Sequence, residues 1–287
     1  MAHLTQVQKD LYENDGFVVV RNAIPHNVIN NFIDVLKEVV DAQTREMYRN
    51  KKISDLYLNE PFSTRWYKVW LEHGGEPEDR TWHAAVFGRP LYALMAHPAI
   101  LDVVESLIGP EIQHNGDWIL RPKLPEMTLQ SLPWHQDSGY MVNTEQYHWP
   151  TVWVPFVPVN KENGAMQLIP GTHKLPIQKH DKETENQPTP ETDPSAGREV
   201  VMPEFQPGDF IIFHNHLFHR STTGDASSVR WSMDFRFSPA GTPIDEKLWF
   251  REMKHIVRSK KNPRQIPNWE AIVALWEKSE EKKRKSI

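Results

Sequence analysis

The chain has 287 residues, and its 33 basic and 38 acidic side chains leave a net charge of −5, which gives no reason to expect a nucleic acid or another polyanion as a partner. The absence of cysteine excludes disulfides, thiolate nucleophiles and cysteine-based metal sites, so a metal would need histidine or carboxylate ligands. No apolar run approaches about 18 residues and the first residues contain no signal-peptide core, so we expect a cytoplasmic protein that does not enter a membrane.

The first part of the chain, residues 1–110, is predicted to be mainly helical. Thr5–Asn14 and Val28–Tyr48 carry apolar residues at helical spacing, and Phe17–Val20 between them is a β-branched run typical of a buried strand. A further helix over Ala99–Ile108 is ended by a Gly-Pro pair.

Beyond this part, short β-strands separated by Pro, Gly and Asn predict a sandwich or barrel. Residues 180–197 are polar and proline-rich, and they form a surface excursion that is either flexible or a lid over a site. The predicted strands lie near 112–122, 128–135, 150–158, 165–169, 199–202, 210–213 and 229–238.

One domain over residues 1–287 accounts for this order of elements. It has a helical part at about 1–110, a β core at about 111–240 and a helical tail at about 241–287. The predicted fold class is therefore mainly β with flanking helices.

His135 and Asp137 form the motif around which the other candidate site residues are arranged. On a β-strand, residues two positions apart point to the same face, so this imidazole and carboxylate can converge on one point. Such a pair would hold a divalent transition metal, but it needs a third ligand. Three later histidines are the candidates for that ligand, namely His214, His216 and His219.

The last predicted β-strand has two different faces. Guanidinium groups on an inward face need a carboxylate or another acceptor to offset their desolvation, and one of them could bind an anionic cosubstrate through two parallel hydrogen bonds. One face carries Arg230, Ser232, Asp234 and Arg236, and the other carries Trp231, Met233, Phe235 and Phe237.

At these residues the chain resembles the phytanoyl-CoA dioxygenase family of Fe(II)/2-oxoglutarate-dependent oxygenases. The family pattern is a His-x-Asp pair, a distal His about eighty residues later and an Arg eleven residues beyond that His. Among the three later histidines, His219 fits this pattern together with Arg230. Residues 5–240 carry the resemblance, which includes the landmarks Asn163–Met166, Ile169–His173 and Pro207–Asp209.

The resemblance implies a double-stranded β-helix, a jelly-roll or cupin-like core, and an iron site formed by His135, Asp137 and His219. Three protein ligands leave three positions on Fe(II) for a bidentate 2-oxo acid and O2. The implied reaction consumes 2-oxoglutarate, releases succinate and CO2, and most simply hydroxylates a small organic metabolite.

The resemblance also implies which residues bind the cosubstrate. Arg230 is expected to grip the distal carboxylate of 2-oxoglutarate with Ser232 beside it, and Trp153 matches a family position near the cosubstrate. Further candidates, on strands that lead into the motif, are Lys123, Asn115 and Gln130.

The expected substrate is an apolar or ring-bearing small molecule. Aromatic side chains are dense in Tyr57–Trp70, and Trp66, Tyr67 and Tyr140 either line the substrate pocket or pack in the core. A CoA thioester fits less well, because the sequence has no basic cluster for its phosphates.

Several alternatives stay open at this level. Desaturation, cyclisation and epimerisation would use the same ligands, whereas halogenation is disfavoured because halogenating relatives replace the carboxylate at the position of Asp137. A zinc hydrolase or isomerase would not need Arg230, and a catalytically silent barrel would serve as a binding module. The oligomeric state cannot be read from the sequence.

Overall fold

The computed structural model describes residues 3–74, 82–125, 132–139, 146–181, 189–224, 226–244 and 249–285. Its α-helices are α1 (Gln6–Asp15), α2 (His26–Arg49), α3 (Phe62–Glu72), α4 (Trp82–Ala85), α5 (Arg89–Met95), α6 (Pro98–Ile108) and α7 (Trp269–Lys285). Its β-strands are β1 (Phe17–Val20), β2 (Ile112–Lys123), β3 (Thr151–Pro155), β4 (Met166–Leu168), β5 (His180–Asp181), β6 (Thr189–Pro190), β7 (Phe210–Phe213), β8 (His219–Ser221), β9 (Arg230–Pro239) and β10 (His255–Arg258).

Local chemistry sets the ends of the N-terminal helices. The Thr5 hydroxyl accepts from the Gln8 backbone N–H at 3.3 Å and the Gln8 side chain accepts from the Thr5 N–H at 3.0 Å, which is a capping box for α1. Gly16 ends α1 at φ +85°, where a Cβ would lie 2.5 Å from His173 Nδ1, so glycine is required. Pro98 begins α6 at its first helical position. The three predicted helices are confirmed to within a turn.

Six antiparallel strands form the main sheet in the order β1-β7-β3-β9-β2-β10. The long strand β9 lies between β3 and β2, with Trp153 opposite Asp234 and Lys123 opposite Arg230. Two smaller sheets pair β4 with β8 and β5 with β6. The protein is therefore sheet-rich with flanking helices, as the sequence predicted.

The two faces of the main sheet bury different cores. On one face, Trp231 and Val152 pack with Phe32 of α2 and the other helices in the larger hydrophobic cluster. On the other face, Trp153 packs with Met166 of β4 in a smaller cluster. Adjacent residues of one strand thus serve opposite sides, and the alternation predicted for the last strand is confirmed.

Two predicted strands are shorter than expected. The prediction over 199–202 reduces to a single bridge between Val201 and Leu168. Of the prediction over 128–135, residues 128–131 lie outside the described ranges, and the rest contributes only the bridge from His135 to His219. Among the described helices none is long and apolar enough to cross a membrane alone, although the bent pair α5 and α6 satisfies the length and composition criteria together.

Four imidazoles form a cluster beside Tyr12 of α1, namely those of His148, His173, His214 and His216. The His214 ring stacks on His148 at 4.5 Å between centroids and lies 5.3 Å from His173 and 4.9 Å from His216. Tyr12 shares a 2.8 Å hydrogen bond with His148 Nε2. Burial, and then the neighbouring imidazoles, lower the pKa of His148 to about 4 and that of His214 to about 2.

We therefore expect the free energy of unfolding to decrease as the pH falls from about 6.5 towards about 4. In this window the unfolded chain binds protons that the folded imidazole cluster does not accept. For His148 alone, the expected loss between pH 7 and pH 5 is about 2 kcal/mol. Urea unfolding of the metal-free protein at both pH values measures it. A His148→Gln/His214→Gln variant should lose part of this pH dependence, and an unchanged dependence would contradict the assignment.

Candidate active site

The backbones of His135 and His219 are hydrogen-bonded to each other. Each backbone N–H donates to the carbonyl of the other residue, at 3.0 and 3.1 Å, in an antiparallel bridge. The two rings lie 4.1 Å apart between centroids, and both side chains are buried. The structure therefore brings together the two histidines that the sequence spacing selected.

The Nδ1 atom of each ring is occupied, which directs Nε2 into the site. His135 Nδ1 lies 2.8 Å from the Pro133 carbonyl, and His219 Nδ1 lies 3.0 Å from the Leu217 carbonyl. Because a carbonyl can only accept, Nδ1 carries the proton in each ring and Nε2 is left as a lone-pair donor. Both Nε2 atoms lie 3.8 Å from Asp137 Oδ1.

Asp137 reaches the site by a route that the sequence did not predict. At the position of the expected strand, His135 forms only an isolated bridge to His219, and Asp137 begins a short 3-10 helix, Asp137–Gly139. Its Oδ2 accepts from the Thr151 hydroxyl at 2.6 Å, which leaves Oδ1 facing the two imidazoles. Burial alone would raise the pKa of Asp137, but Arg236 and the imidazoles lower it below its ordinary value, so the carboxylate is ionised.

These three side chains fit a transition metal. One ligand atom from each of His135, Asp137 and His219 lies within 4.8 Å of the others, and all three residues are buried. Burial lowers the pKa of both imidazoles, so they are neutral at pH 7 as metal ligation requires. Two imidazoles and one carboxylate are the donor set of non-haem Fe(II) sites that keep positions open.

Arg236 lies behind the triad and joins its carboxylate to two more. The guanidinium contacts Asp117, and it lies 3.2 Å from Asp234 and 3.4 Å from Asp137. Burial would lower the pKa of Arg236, but the three carboxylates raise it above its ordinary value. Arg121 is a second cation for Asp234, at 2.9 Å. Arg236 thus has the acceptors that an inward-facing arginine needs.

Arg230 lies on the same face of β9 as Arg236, but its described surroundings do not provide carboxylates that pair with it. One Nη donates to the Gly164 carbonyl at 2.6 Å, and the guanidinium lies 5.6 Å from the centre of the Trp153 ring. In the described part of the chain, its Nε has no hydrogen-bond partner and it forms no ion pair with a carboxylate. Burial, and then the charge of Arg121, lower its pKa to about 9, so it stays positive at neutral pH. Its guanidinium can donate hydrogen bonds to the carboxylate of a ligand.

The other candidates for the cosubstrate pocket differ in their surroundings. In the described part of the chain, the Ser232 hydroxyl is buried without a partner two positions from Arg230, and Trp153 is buried beside that arginine. Lys123 is buried opposite Arg230 on β2, and its Nζ has no hydrogen-bond partner within the same described ranges. Asn115 lies further along β2, where its Oδ1 accepts from Ser238 at 2.6 Å, so it is not part of this group.

The two aromatic candidates for substrate contacts that lie in the described ranges, Trp66 and Tyr67, do not line the pocket. Trp66 is 1% exposed and packs edge-on against Trp82, on the helix-covered face of the sheet. Tyr67 stacks on Trp70 and packs against that same core. Of the two alternatives left open by the sequence, the structure shows packing in the core for Trp66 and Tyr67, because the apolar stripe of α3 turns towards the helices' core. The remaining two predicted residues, Gln130 and Tyr140, lie outside the described ranges.

The beginning of the predicted surface excursion is fixed to the metal motif. Gln136, between two ligands, accepts from the Gln178 N–H at 2.8 Å through its side chain and donates its backbone N–H to His180 Nε2 at 3.1 Å. A Cβ on Gly139 would lie 2.2 Å from the His180 ring, so the two segments are in close contact. Sequence reasoning did not assign this contact, because His180 has no motif spacing to the triad.

The triad and Arg230 line one pocket that is partly open to solvent. A ligand bound to Arg230 can therefore also reach the three ligand atoms. Its other lining residues are Arg121, Leu132, Thr151, Trp153, Met166, Phe213, Arg220, Ser221, Asp234 and Arg236.

Comparison with known proteins agrees with this geometry. A profile of the phytanoyl-CoA dioxygenase (PhyH) family matches residues 12–230, which is more than half of the chain and includes the triad and Arg230. The chain belongs to the phytanoyl-CoA dioxygenase family. One relative is the 1-deoxypentalenic acid 11-beta-hydroxylase of Streptomyces arenae, 28% identical over 164 residues. That match covers 52% of this chain and 57% of the hydroxylase, so the chain spans little more than half of this relative.

Solved structures of other proteins share this fold. The apo non-heme monooxygenase ThoJ has a TM-score of 0.63 at 20% identity, over 96% of this chain and 95% of its own. The epimerase SnoN, in complex with Fe3+, alpha ketoglutarate and nogalamycin RO, has a TM-score of 0.57 at 20% identity, over 86% and 88%. As a member of the PhyH family, the protein is a non-haem iron oxygenase that uses 2-oxoglutarate, the class and cofactor set predicted from the sequence.

Proposed function

We propose that the protein hydroxylates a small organic molecule, with Fe(II) on His135, Asp137 and His219 and the distal carboxylate of 2-oxoglutarate on Arg230. The observation that carries the proposal is one pocket that contains both a buried triad of ligand atoms within 4.8 Å and a buried arginine without a carboxylate partner. When bound, iron with 2-oxoglutarate and O2 supplies the oxidation of an unactivated C–H bond and releases succinate and CO2.

The protein's part in this chemistry is to hold ligands and orient the cosubstrate. The Pro133 and Leu217 carbonyls keep both imidazole Nε2 atoms directed into the site. Thr151 donates to Asp137 Oδ2, and Arg236 contacts both carboxylate oxygens, at 3.4 Å to Oδ2 and 3.5 Å to Oδ1, while Oδ1 also faces the two imidazoles. Arg230 binds one end of 2-oxoglutarate and thereby sets the distance of its other end from the triad. Ser232 and Trp153 assist beside that arginine.

Two features support a small substrate and a hydroxylation. The relative from Streptomyces arenae is named for hydroxylating 1-deoxypentalenic acid, a small organic acid. Asp137 keeps a carboxylate at the position that halogenating enzymes leave open, which disfavours halide chemistry. A single domain over residues 1–287 with a double-stranded β-helix core is the finer architecture we propose, supported by the small β4–β8 sheet that packs against the main sheet through Trp153 and Met166.

The proposal is tested first without a substrate. Anaerobic addition of Fe(II) and 2-oxoglutarate to the purified protein is expected to give a weak visible charge-transfer band, because the 2-oxo acid chelates the metal. A screen of small organic acids and ring-bearing molecules, read by succinate formation, should then yield a product heavier by one oxygen atom. A protein that binds iron but gives neither the band nor succinate with any compound would refute the proposal.

A further inference from the structure

Lys123 is a buried basic residue whose surroundings have no place for its charge. The residue is 2% exposed, and its Nζ has no hydrogen-bond partner in the ranges that the structure describes. Among the described residues, the charged groups that act on its pKa are Arg230 across the sheet and Arg121 on its own strand, and both are cations. A buried ammonium with no acceptor and two cationic neighbours is unfavourable in the folded protein.

Strand register brings Lys123 next to Arg230. The two residues are directly opposite on β2 and β9, and opposite residues of antiparallel strands project to the same face with Cβ atoms about 5 Å apart. Gly164 contacts both side chains: its carbonyl accepts from Arg230 at 2.6 Å, and a Cβ on it would lie 3.4 Å from Lys123 Cε. An anion that binds Arg230 therefore comes within reach of the lysine.

Three unused polar groups lie on one face of the paired strands β2 and β9, at or beside Arg230. They are the Nζ of Lys123, the Nε of Arg230 and the hydroxyl of Ser232, all buried and all without partners among the described residues. Buried polar groups are normally paired, so three orphans together indicate a missing ligand. The ligand must be an anion with several acceptor atoms, and a carboxylate meets this requirement.

We propose that Lys123 completes the carboxylate site beside Arg230 and takes up one proton from solvent each time 2-oxoglutarate binds. The inference rests on the proposed function and adds to it a proton that is bound together with the cosubstrate. Before binding, the two neighbouring cations and the dry surroundings favour the neutral amine. The carboxylate then supplies the negative charge that an ammonium needs, so that protonation and binding support each other.

Titration of the free lysine agrees with this geometry. Burial, and then the charges of Arg230 and Arg121, lower the pKa of Lys123 to about 6. The amine is therefore mostly neutral at pH 7.5, and pairing with a carboxylate raises its pKa again. By linkage, uptake of one proton makes the Kd of 2-oxoglutarate rise about tenfold per pH unit above pH 7, until the pH reaches the raised pKa of the complex.

Calorimetry of the nickel-loaded protein tests this coupling without turnover. 2-Oxoglutarate is titrated at pH 7.5 in buffers of different ionisation enthalpy, and the slope gives the protons bound, with about one expected for the wild type. Lys123→Met should bind 2-oxoglutarate more weakly, with no proton uptake from this group and little dependence on pH. Lys123→Arg should bind with a retained charge and likewise without uptake, because arginine does not deprotonate in this range.

Stability supplies a second, independent readout. Without 2-oxoglutarate, Lys123→Met should unfold at a higher temperature than the wild type, because the substitution removes a buried amine that has no partner. The exposed Lys174→Met serves as the matched control and should change neither binding nor proton uptake.

The outcomes separate this inference from the function on which it rests. Wild-type protein that binds 2-oxoglutarate without taking up a proton overturns the role of Lys123, and so does full uptake in Lys123→Met. Nickel-loaded wild type that does not bind 2-oxoglutarate at all overturns the proposed function, and the inference falls with it.

Discussion

Asp137→Ala is expected to lower 2-oxoglutarate-dependent succinate formation by more than about 100-fold, since loss of a partner outside the ligand sphere alone costs roughly 10- to 100-fold. The substitution removes the carboxylate that closes the triad, and it also leaves Thr151 and Arg236 without an acceptor there. Iron retained after dialysis, measured by metal analysis, should fall in parallel with turnover.

Two further variants separate charge from shape and from general damage. Asp137→Asn preserves the outline of the side chain and an acceptor for Thr151, and it should lose iron nearly as severely because the charge is gone. Asp193 is exposed and bonds Ser195, so Asp193→Ala should leave iron binding and turnover unchanged. An Asp137→Ala protein that retains iron and activity would remove this residue from the site.

Arg230→Met is expected to raise the Kd of 2-oxoglutarate by roughly 30- to 1000-fold, while the iron content stays the same. The arginine is buried and its Nε has no partner among the residues described, so its pairing with a carboxylate occurs away from water and is worth about 2–4 kcal/mol. Titration of the anaerobic iron protein, followed by its charge-transfer band, measures the change.

The controls for this variant also distinguish between classes of enzyme. Arg230→Lys retains a charge but loses the planar fork, so it should recover only part of the affinity. Arg198 is exposed, and Arg198→Met should bind 2-oxoglutarate like the wild type. If Arg230→Met leaves a metal-dependent turnover intact, then the arginine does not serve a cosubstrate, and the zinc hydrolase alternative gains support.

Sequence reasoning identified the residues of the metal site but not the path by which one of them arrives. The spacing to Arg230 selected His219 from three histidines, and the structure brings it to His135. The prediction that Asp137 shares a strand with His135 failed, because a 3-10 helix begins at Asp137. The motif indicates which side chains bind the metal, whereas the spacing of two residues does not show whether the backbone between His135 and Asp137 is extended or turned.

The support behind the triad could be predicted only in part. Alternation along the last strand showed that Arg230 and Arg236 face inward and need acceptors, but it could not tell which of them finds one. That difference depends on how β2 pairs with β9: the register places Lys123 opposite Arg230, whereas the irregularity between His114 and Trp118 brings Asp117 to Arg236. Register between strands far apart in sequence leaves no local signal.

Which role the aromatic segment before the sheet has could not be decided from the sequence, for a related reason. Many rings in a short stretch are typical of a substrate pocket, yet Trp66 and Tyr67 belong to a helix that covers the outer face of β9. Trp82 and Trp231 complete the packing around Trp66 on that face. The composition of a segment indicates that its rings are buried. Whether those rings lie in the core or in a pocket depends on how the segment packs against the rest of the fold.

The bridge between His135 and His219 has a consequence for how the protein acquires its metal. Two of the three ligands are anchored by reciprocal backbone hydrogen bonds and by a carbonyl at each Nδ1, so most of their conformational freedom is lost during folding. A metal ion that enters does not have to gather flexible side chains, and its binding energy is not spent on ordering them. Folding alone therefore places two of the three metal ligands, His135 and His219, in the geometry that metal binding needs.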